Sequence, residues 1–166
     1  MKTVIFTTIL VLVLGLNAHA LTINNTAPLF SLRDNSGDFF YLSSYLKKSS
    51  TKGIIINFFS STCKPCKHEL PILNSLVPEL SKKGIAVVII GYKEAFDKFM
   101  DMLEKLKVDK PLILSDVYGK VGEKYGVYGL PLTIFVGADS KVKDIIKGEL
   151  PNIEKVLREK SNRLFR

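Results

Sequence analysis

Only two cysteines and no tryptophan occur in this chain of 166 residues. Two cysteines are too few for the disulfide lattice that holds small secreted scaffolds together. No apolar run reaches the roughly 20 residues that a bilayer-spanning helix needs, which sets aside a multi-pass membrane protein. Low-complexity tracts are absent too, and with ten Phe and six Tyr the composition is neither collagen-like nor that of a linker. What remains, 46% hydrophobic and 24% charged residues, fits one domain built around one core.

The single hydrophobic run lies at the N-terminus, from Val4 to Leu16, after Lys2 and before Ala18-His19-Ala20. It reads as a secretory signal peptide over residues 1–20, with the small residues Ala18 and Ala20 suiting signal peptidase and Leu21–Arg166 forming the mature domain. An uncleaved membrane anchor is the alternative, and either places the domain outside the cytoplasm, where disulfide chemistry is permitted. The formal charge is +8. Basic residues are spread along the chain, with Lys155, Arg158, Lys160, Arg163 and Arg166 grouped at the end, read either as a solvated helix face or as a patch favouring an anionic membrane surface or an acidic partner. No aromatic recognition motif interleaves with them, so nucleic acid is not expected as a partner.

Periodicity predicts alternating strands and helices. Pro28–Leu32 and Phe39–Tyr41 flank the turn Asp34-Asn35-Ser36-Gly37-Asp38, an N-terminal β-hairpin. Gly53–Ser60 is a nearly unbroken β-branched and aromatic run, the pattern of a strand covered on both faces. Cys66, Leu70, Leu73, Val77 and Leu80 then follow helical spacing, with Pro71 expected to kink the helix. Ile85–Gly91 reads as a second buried strand and Phe96, Phe99, Leu103 and Leu106 as a second helical stripe. Pro111–Leu114 should be a short strand, and Val117, Val121 and Tyr125 a short helix capped by Asp116. Pro131–Gly137 and Lys141–Lys147 should pair antiparallel, with a covering helix from about Leu150.

The chemistry concentrates in Cys63-Lys64-Pro65-Cys66, between the first buried strand and the long helix. A helix start presents unpaired N–H groups and the positive end of the macrodipole, which stabilise a thiolate at Cys63 below the ~8.5 of a free thiol. Lys64 adds a positive charge. Cys66 lies three residues on, within reach of Cys63, so Cys63 attacks and Cys66 resolves the mixed disulfide. A structural disulfide would gain little from so short a loop. A structural zinc site needs four ligands, and beyond residue 20 the chain offers two Cys and His68. Met100 and Met102 follow no copper-ligand pattern and read as part of their helix. These residues therefore favour neither metal reading.

The segment Ile56-Asn57-Phe58-Phe59-Ser60-Ser61-Thr62-Cys63-Lys64-Pro65-Cys66, with Gly129-Leu130-Pro131-Leu132-Thr133 downstream, resembles the thioredoxin superfamily. More narrowly it is similar to the exported TlpA/ResA-like thiol–disulfide oxidoreductases, over roughly Ala27 to the C-terminus. The resemblance implies an α/β thioredoxin fold: a central mixed β-sheet flanked by helices, with an N-terminal β-hairpin and an inserted helix/strand segment. It also implies a cis Leu130-Pro131 bond facing the cysteines, with Leu130 and Pro131 binding substrate, and Glu69 exchanging a proton with Cys66. A merely solvated Glu69 is the competing reading. The implied partners are protein substrates with cysteines or disulfides, apocytochrome c or other exported proteins among them, and a membrane electron donor, with no metal or organic cofactor; a monomer is expected. Two positions depart from related patterns: Asn57 stands where thioredoxins carry a buried Asp, and Thr62 replaces the usual aromatic before the first Cys. A peroxiredoxin would want Pro and Thr at the positions held by Ile56 and Ser60. A non-catalytic module that holds cysteine-containing partners is the other alternative.

Overall fold

Among the described residues, 21–165 of a computed structural model, seven strands form one mixed sheet. The expected signal peptide over residues 1–20 lies outside them. The hairpin is β1 (Ser31–Asp34) and β2 (Phe39–Tyr41), followed by a one-turn helix α1 (Leu42–Leu46). The core unit is β3 (Gly53–Phe59), α2 (Lys64–Lys82), β4 (Ile85–Tyr92), α3 (Phe96–Lys105) and β5 (Leu112–Asp116). Then come α4 (Lys120–Tyr125), β6 (Leu132–Gly137), β7 (Val142–Lys147), α5 (Ile153–Ser161) and a 3-10 turn (Asn162–Phe165). In the order β2-β1-β5-β4-β3-β6-β7, β3 runs parallel to β4 and antiparallel to β6. Parallel pairs need a crossover, and α2 and α3 provide them.

The alternation of side chains along β3 assigns the two faces. Ile54, Ile56 and Phe58 pack with Val88, Ile90, Ile134, Leu42 and Tyr125 on one face. Ile55 and Phe59 face the other way, where the buried residues of α2, α3 and α5 close the core. Asn57, between Ile55 and Phe59 in that period, is a polar residue on the α2 face and is fully buried. Its antiparallel register partner on β6 is Thr133.

Several expectations shift. The first strand sits at Ser31–Asp34 rather than Pro28–Leu32, because Pro28 supplies no N–H and its carbonyl accepts the Tyr125 hydroxyl at 2.8 Å. The stretch expected to end at Leu114 runs on to Asp116, paired with Tyr92. Asp116 is therefore not the residue from which α4 starts; Gly119 is, in a left-handed conformation (φ 70°). The Asp116 carboxylate still serves that helix, accepting the Gly122 N–H at 2.8 Å from the strand end. Val117 is exposed rather than part of the apolar stripe. Helix α2 continues as one element through Pro71 and Pro78, each of which removes a backbone hydrogen bond. Burial of Leu70, Leu73, Leu76 and Leu80 offsets that loss.

Candidate active site

Cys63 is the N-cap residue of α2, extended at φ −77° and ψ 105°, and its Sγ accepts the Cys66 N–H at 3.2 Å. A sulfur thus occupies the place where Ser or Asp oxygens ordinarily satisfy orphan N–H groups. Pro65 falls in the first turn, where its missing N–H costs nothing. Cys63 and Cys66 are joined by a disulfide. Their exposures differ: Cys66 is fully buried and Cys63 is half-buried.

Cys63 opens into a groove of about 790 Å³ whose walls include Thr62, Tyr92, Glu123, Tyr128 and Leu130. Tyr128 is 89% exposed. The Leu130-Pro131 peptide bond is cis, and Leu130 packs against the cluster containing both cysteines. Pro131 is buried and its carbonyl accepts the Gly148 N–H at 2.8 Å. Of the residues singled out in the sequence, Cys63 and Leu130 line one groove, Cys66 and Leu130 share one apolar cluster, and Glu69 is bonded to Thr133, two residues beyond the cis Pro131.

Glu69 is not a solvated helix residue. It is 2% exposed and sits one turn after Cys66 on the buried side of α2. Its Oε1 accepts from Thr133 Oγ1 at 2.6 Å and from Asn57 Nδ2 at 3.0 Å, and Asn57 Nδ2 also donates to Thr133 Oγ1 at 2.8 Å. Burial pushes the Glu69 carboxyl above the usual glutamate range, opposed in part by the bonds from Thr133 and Asn57.

One contributor was not visible in the sequence. Glu94, in the loop after β4, accepts the Ser61 N–H at 2.8 Å and the Ser61 hydroxyl at 2.7 Å, while its own carbonyl takes the Ser115 hydroxyl at 2.6 Å. It clamps the turn that delivers Cys63 to the helix start. No local pattern encodes a contact between two loops separated by 33 residues. Among the described residues no cluster of His, Cys, Asp and Glu could hold a metal ion.

The AhpC/TSA family profile matches residues 23–145. The chain is 32% identical over 131 residues to the thiol-disulfide oxidoreductase ResA of Geobacillus thermodenitrificans, covering 79% of this chain and 72% of that protein. It is 31% identical over 127 residues to the ResA of Bacillus thuringiensis subsp. konkukian, covering 76% and 70%. In fold it is similar to a Chlorobium tepidum protein described as a thiol:disulfide interchange protein DsbE, with a TM-score of 0.78 at 22% identity over 89% of this chain and all of that one. The peroxidoxin BcpB of Mycobacterium tuberculosis has the same fold, with a TM-score of 0.71 at 23% identity over 87% and 96% of the two chains. The fold is thus shared with a peroxidoxin, whereas the higher identity over most of both chains is to the ResA proteins. With its cysteine pair joined at the head of α2 and its thioredoxin fold, the chain belongs to the AhpC/TSA family of the thioredoxin superfamily and is a ResA-like thiol–disulfide oxidoreductase.

Proposed function

We propose that this domain works outside the cytoplasm as a reductant of protein disulfides, with apocytochrome c as a client and a membrane thiol–disulfide donor as its electron source. The observation that carries the reading is the graded exposure of the pair, Cys63 on the groove and Cys66 sealed beneath it beside Glu69. In the dithiol state, Cys63 Sγ attacks one sulfur of the client disulfide; that S–S bond breaks, the other client sulfur leaves as a thiolate, and a mixed disulfide forms. Cys66 gives its proton to Glu69 and attacks Cys63 Sγ, which releases the second client thiolate and closes the Cys63–Cys66 disulfide. Two electrons pass to the client, and the donor dithiol returns them. Among the described residues, the backbone N–H and C=O of Leu130 have no hydrogen-bond partner. They are available to pair with an extended client segment lying in the groove.

Alkylation trapping of Cys63 and Cys66 in cells tests the direction of flow, and a mostly reduced pair is expected. The midpoint potential should fall between about −270 and −180 mV, the interval from thioredoxin to protein disulfide isomerase. A potential near that of a strong oxidant such as DsbA would overturn the reductant assignment. Cell fractionation tests the location, and a cytoplasmic pool of the mature protein would overturn it.

A further inference from the structure

Among the described residues Asn57 Oδ1 is buried and has no hydrogen-bond partner, although the amide nitrogen of the same side chain makes two bonds. A buried, unpaired carbonyl is costly, about 1–3 kcal/mol when its partner is removed. The amide is not simply turned the wrong way round. Its nitrogen lies 3.0 Å from a Glu69 oxygen, and exchanging N for O would set two acceptors against each other. With Glu69 ionised that orientation stands, and Oδ1 is left without a donor among the described residues.

A primary amide and a carboxylic acid form a cyclic pair, the amide N–H donating to one acid oxygen and the acid O–H donating to the amide oxygen. Half of that ring is present in the Asn57 Nδ2 to Glu69 Oε1 bond. We propose that Asn57 is a positioning residue that completes this ring when Glu69 is protonated: Glu69 Oε2–H donates to Asn57 Oδ1, so the catalytic proton is held in a defined place. Asn57 keeps its N–H bond in both protonation states and offers Oδ1 to the acid alone, and Thr133 fixes the shared Oε1. When Glu69 passes the proton to Cys66, the O–H bond breaks, the S–H bond forms, and Oδ1 loses its partner. An aspartate at this place would instead be a second acid, with its own proton and charge.

The inference rests on the proton exchange proposed for Glu69 and deepens it. Among the described residues the groups bonded to Glu69 are Asn57 from β3 and Thr133 from β6, neither of which titrates; Cys66 lies one turn before it on α2 and is held in the disulfide. Lys64, Lys67 and His68 of α2 and Lys147 of β7 are exposed.

The test is carbon NMR of the oxidised full domain, following Glu69 Cδ and Asn57 Cγ through a pH titration. Both carbons should shift together with one midpoint, above the ordinary glutamate value of about 4.3. The Asn57 carbon should also show an isotope shift in heavy water while Glu69 is protonated. An Asn57 carbon that stays still while Glu69 titrates overturns the proposal, and so does a Glu69 midpoint at or below the ordinary value. In Asn57→Leu the Glu69 acid carbonyl band should move to higher infrared frequency as the ring is lost; an unmoved band overturns the proposal. Should that variant fail to fold, Asn57→Asp provides the second reading: two coupled carboxyls titrating in two steps, where independent single steps would count against the pairing. Insulin-disulfide turnover of Glu69→Gln separates the two layers. Full activity in that variant removes the proton role of Glu69 even if the two carbons titrate together. Slowed activity with a silent Asn57 removes only the pairing.

Discussion

Glu69 and Asp144 are each 2% exposed, yet the protein surrounds them in opposite ways. Asp144 on β7 is charge-compensated: Lys160 Nζ lies 2.6 Å from Oδ1, Arg163 Nη1 2.5 Å from Oδ2, and the Ile145 N–H donates at 2.9 Å. Both cations come from the C-terminal helical segment, so this carboxylate pins α5 and the 3-10 turn to the sheet edge. Glu69 meets only neutral donors, Asn57 and Thr133. A carboxyl given two cations is held as an anchor, whereas burial among amide and hydroxyl donors raises the proton affinity of the other. The same carboxyl group thus meets cations at one place and neutral donors at another.

That contrast predicts a separation of activity from stability. The largest effect belongs to Cys63→Ser, which should reduce insulin-disulfide turnover to the uncatalysed rate. Serine is itself a good N-cap, so the unfolding free energy under reducing conditions should move by no more than about 0.5 kcal/mol. Cys66→Ser should accumulate a client mixed disulfide, visible on a non-reducing gel. If both single variants retained turnover, the division of labour between the sulfurs would be wrong.

Asp144→Asn should do the reverse. Breaking a buried ion pair costs ~3–5 kcal/mol, and the low end applies because Lys160 and Arg163 are partly exposed and can return to water. Chemical denaturation reads this loss, while turnover per folded molecule should stay at the wild-type level.

Glu69→Gln comes next, with turnover expected to fall by about 10²-fold. It also carries a pH signature. Burial raises the folded-state pKa of Glu69, so the folded protein binds this proton more tightly than the unfolded chain. Stability from this group is complete below the ordinary glutamate pKa and declines as pH rises through the raised value. Glu69→Gln should abolish that decline and be more stable than wild type relative to its own acid value. A wild-type denaturation midpoint rising over the same window would contradict the assignment. The smallest effect is expected for Glu94→Gln, about 1 kcal/mol in unfolding free energy and a less than tenfold loss of turnover, through loosening of the Ser61 turn.

Much of this was legible before any coordinates. The unbroken apolar run of β3 and the helical spacing from Cys66 to Leu80 carry strong periodic signals, and the cysteine pair lies at their junction. The cis bond at Leu130-Pro131 was expected from the resemblance and is present. The one-turn helix α1 was not foreseen: five residues hold too little periodicity, and its N-cap Tyr41 makes no side-chain cap bond. Asp116 was assigned as the helix opener because cap preference is local, whereas its carboxylate reaches the Gly122 N–H from the end of a strand. Burial of Glu69 was equally hidden. It depends on the register that sets Asn57 opposite Thr133, a pairing between residues 76 positions apart.

The hydrogen bond from the Cys66 N–H to Cys63 Sγ has a thermodynamic corollary. The sulfur that the proposed cycle passes between covalent partners is also the cap of the longest helix among the described elements. Cap strength and sulfur chemistry are therefore linked functions, and linkage is reciprocal. Whatever firms the first turn of α2 must favour the electron-rich state of Cys63 by the same free energy with which that state firms the turn. Amide hydrogen exchange at Cys66 and Lys67 would then act as a local voltmeter, slowing or quickening with redox state at the helix start while the far end of α2 stays unchanged.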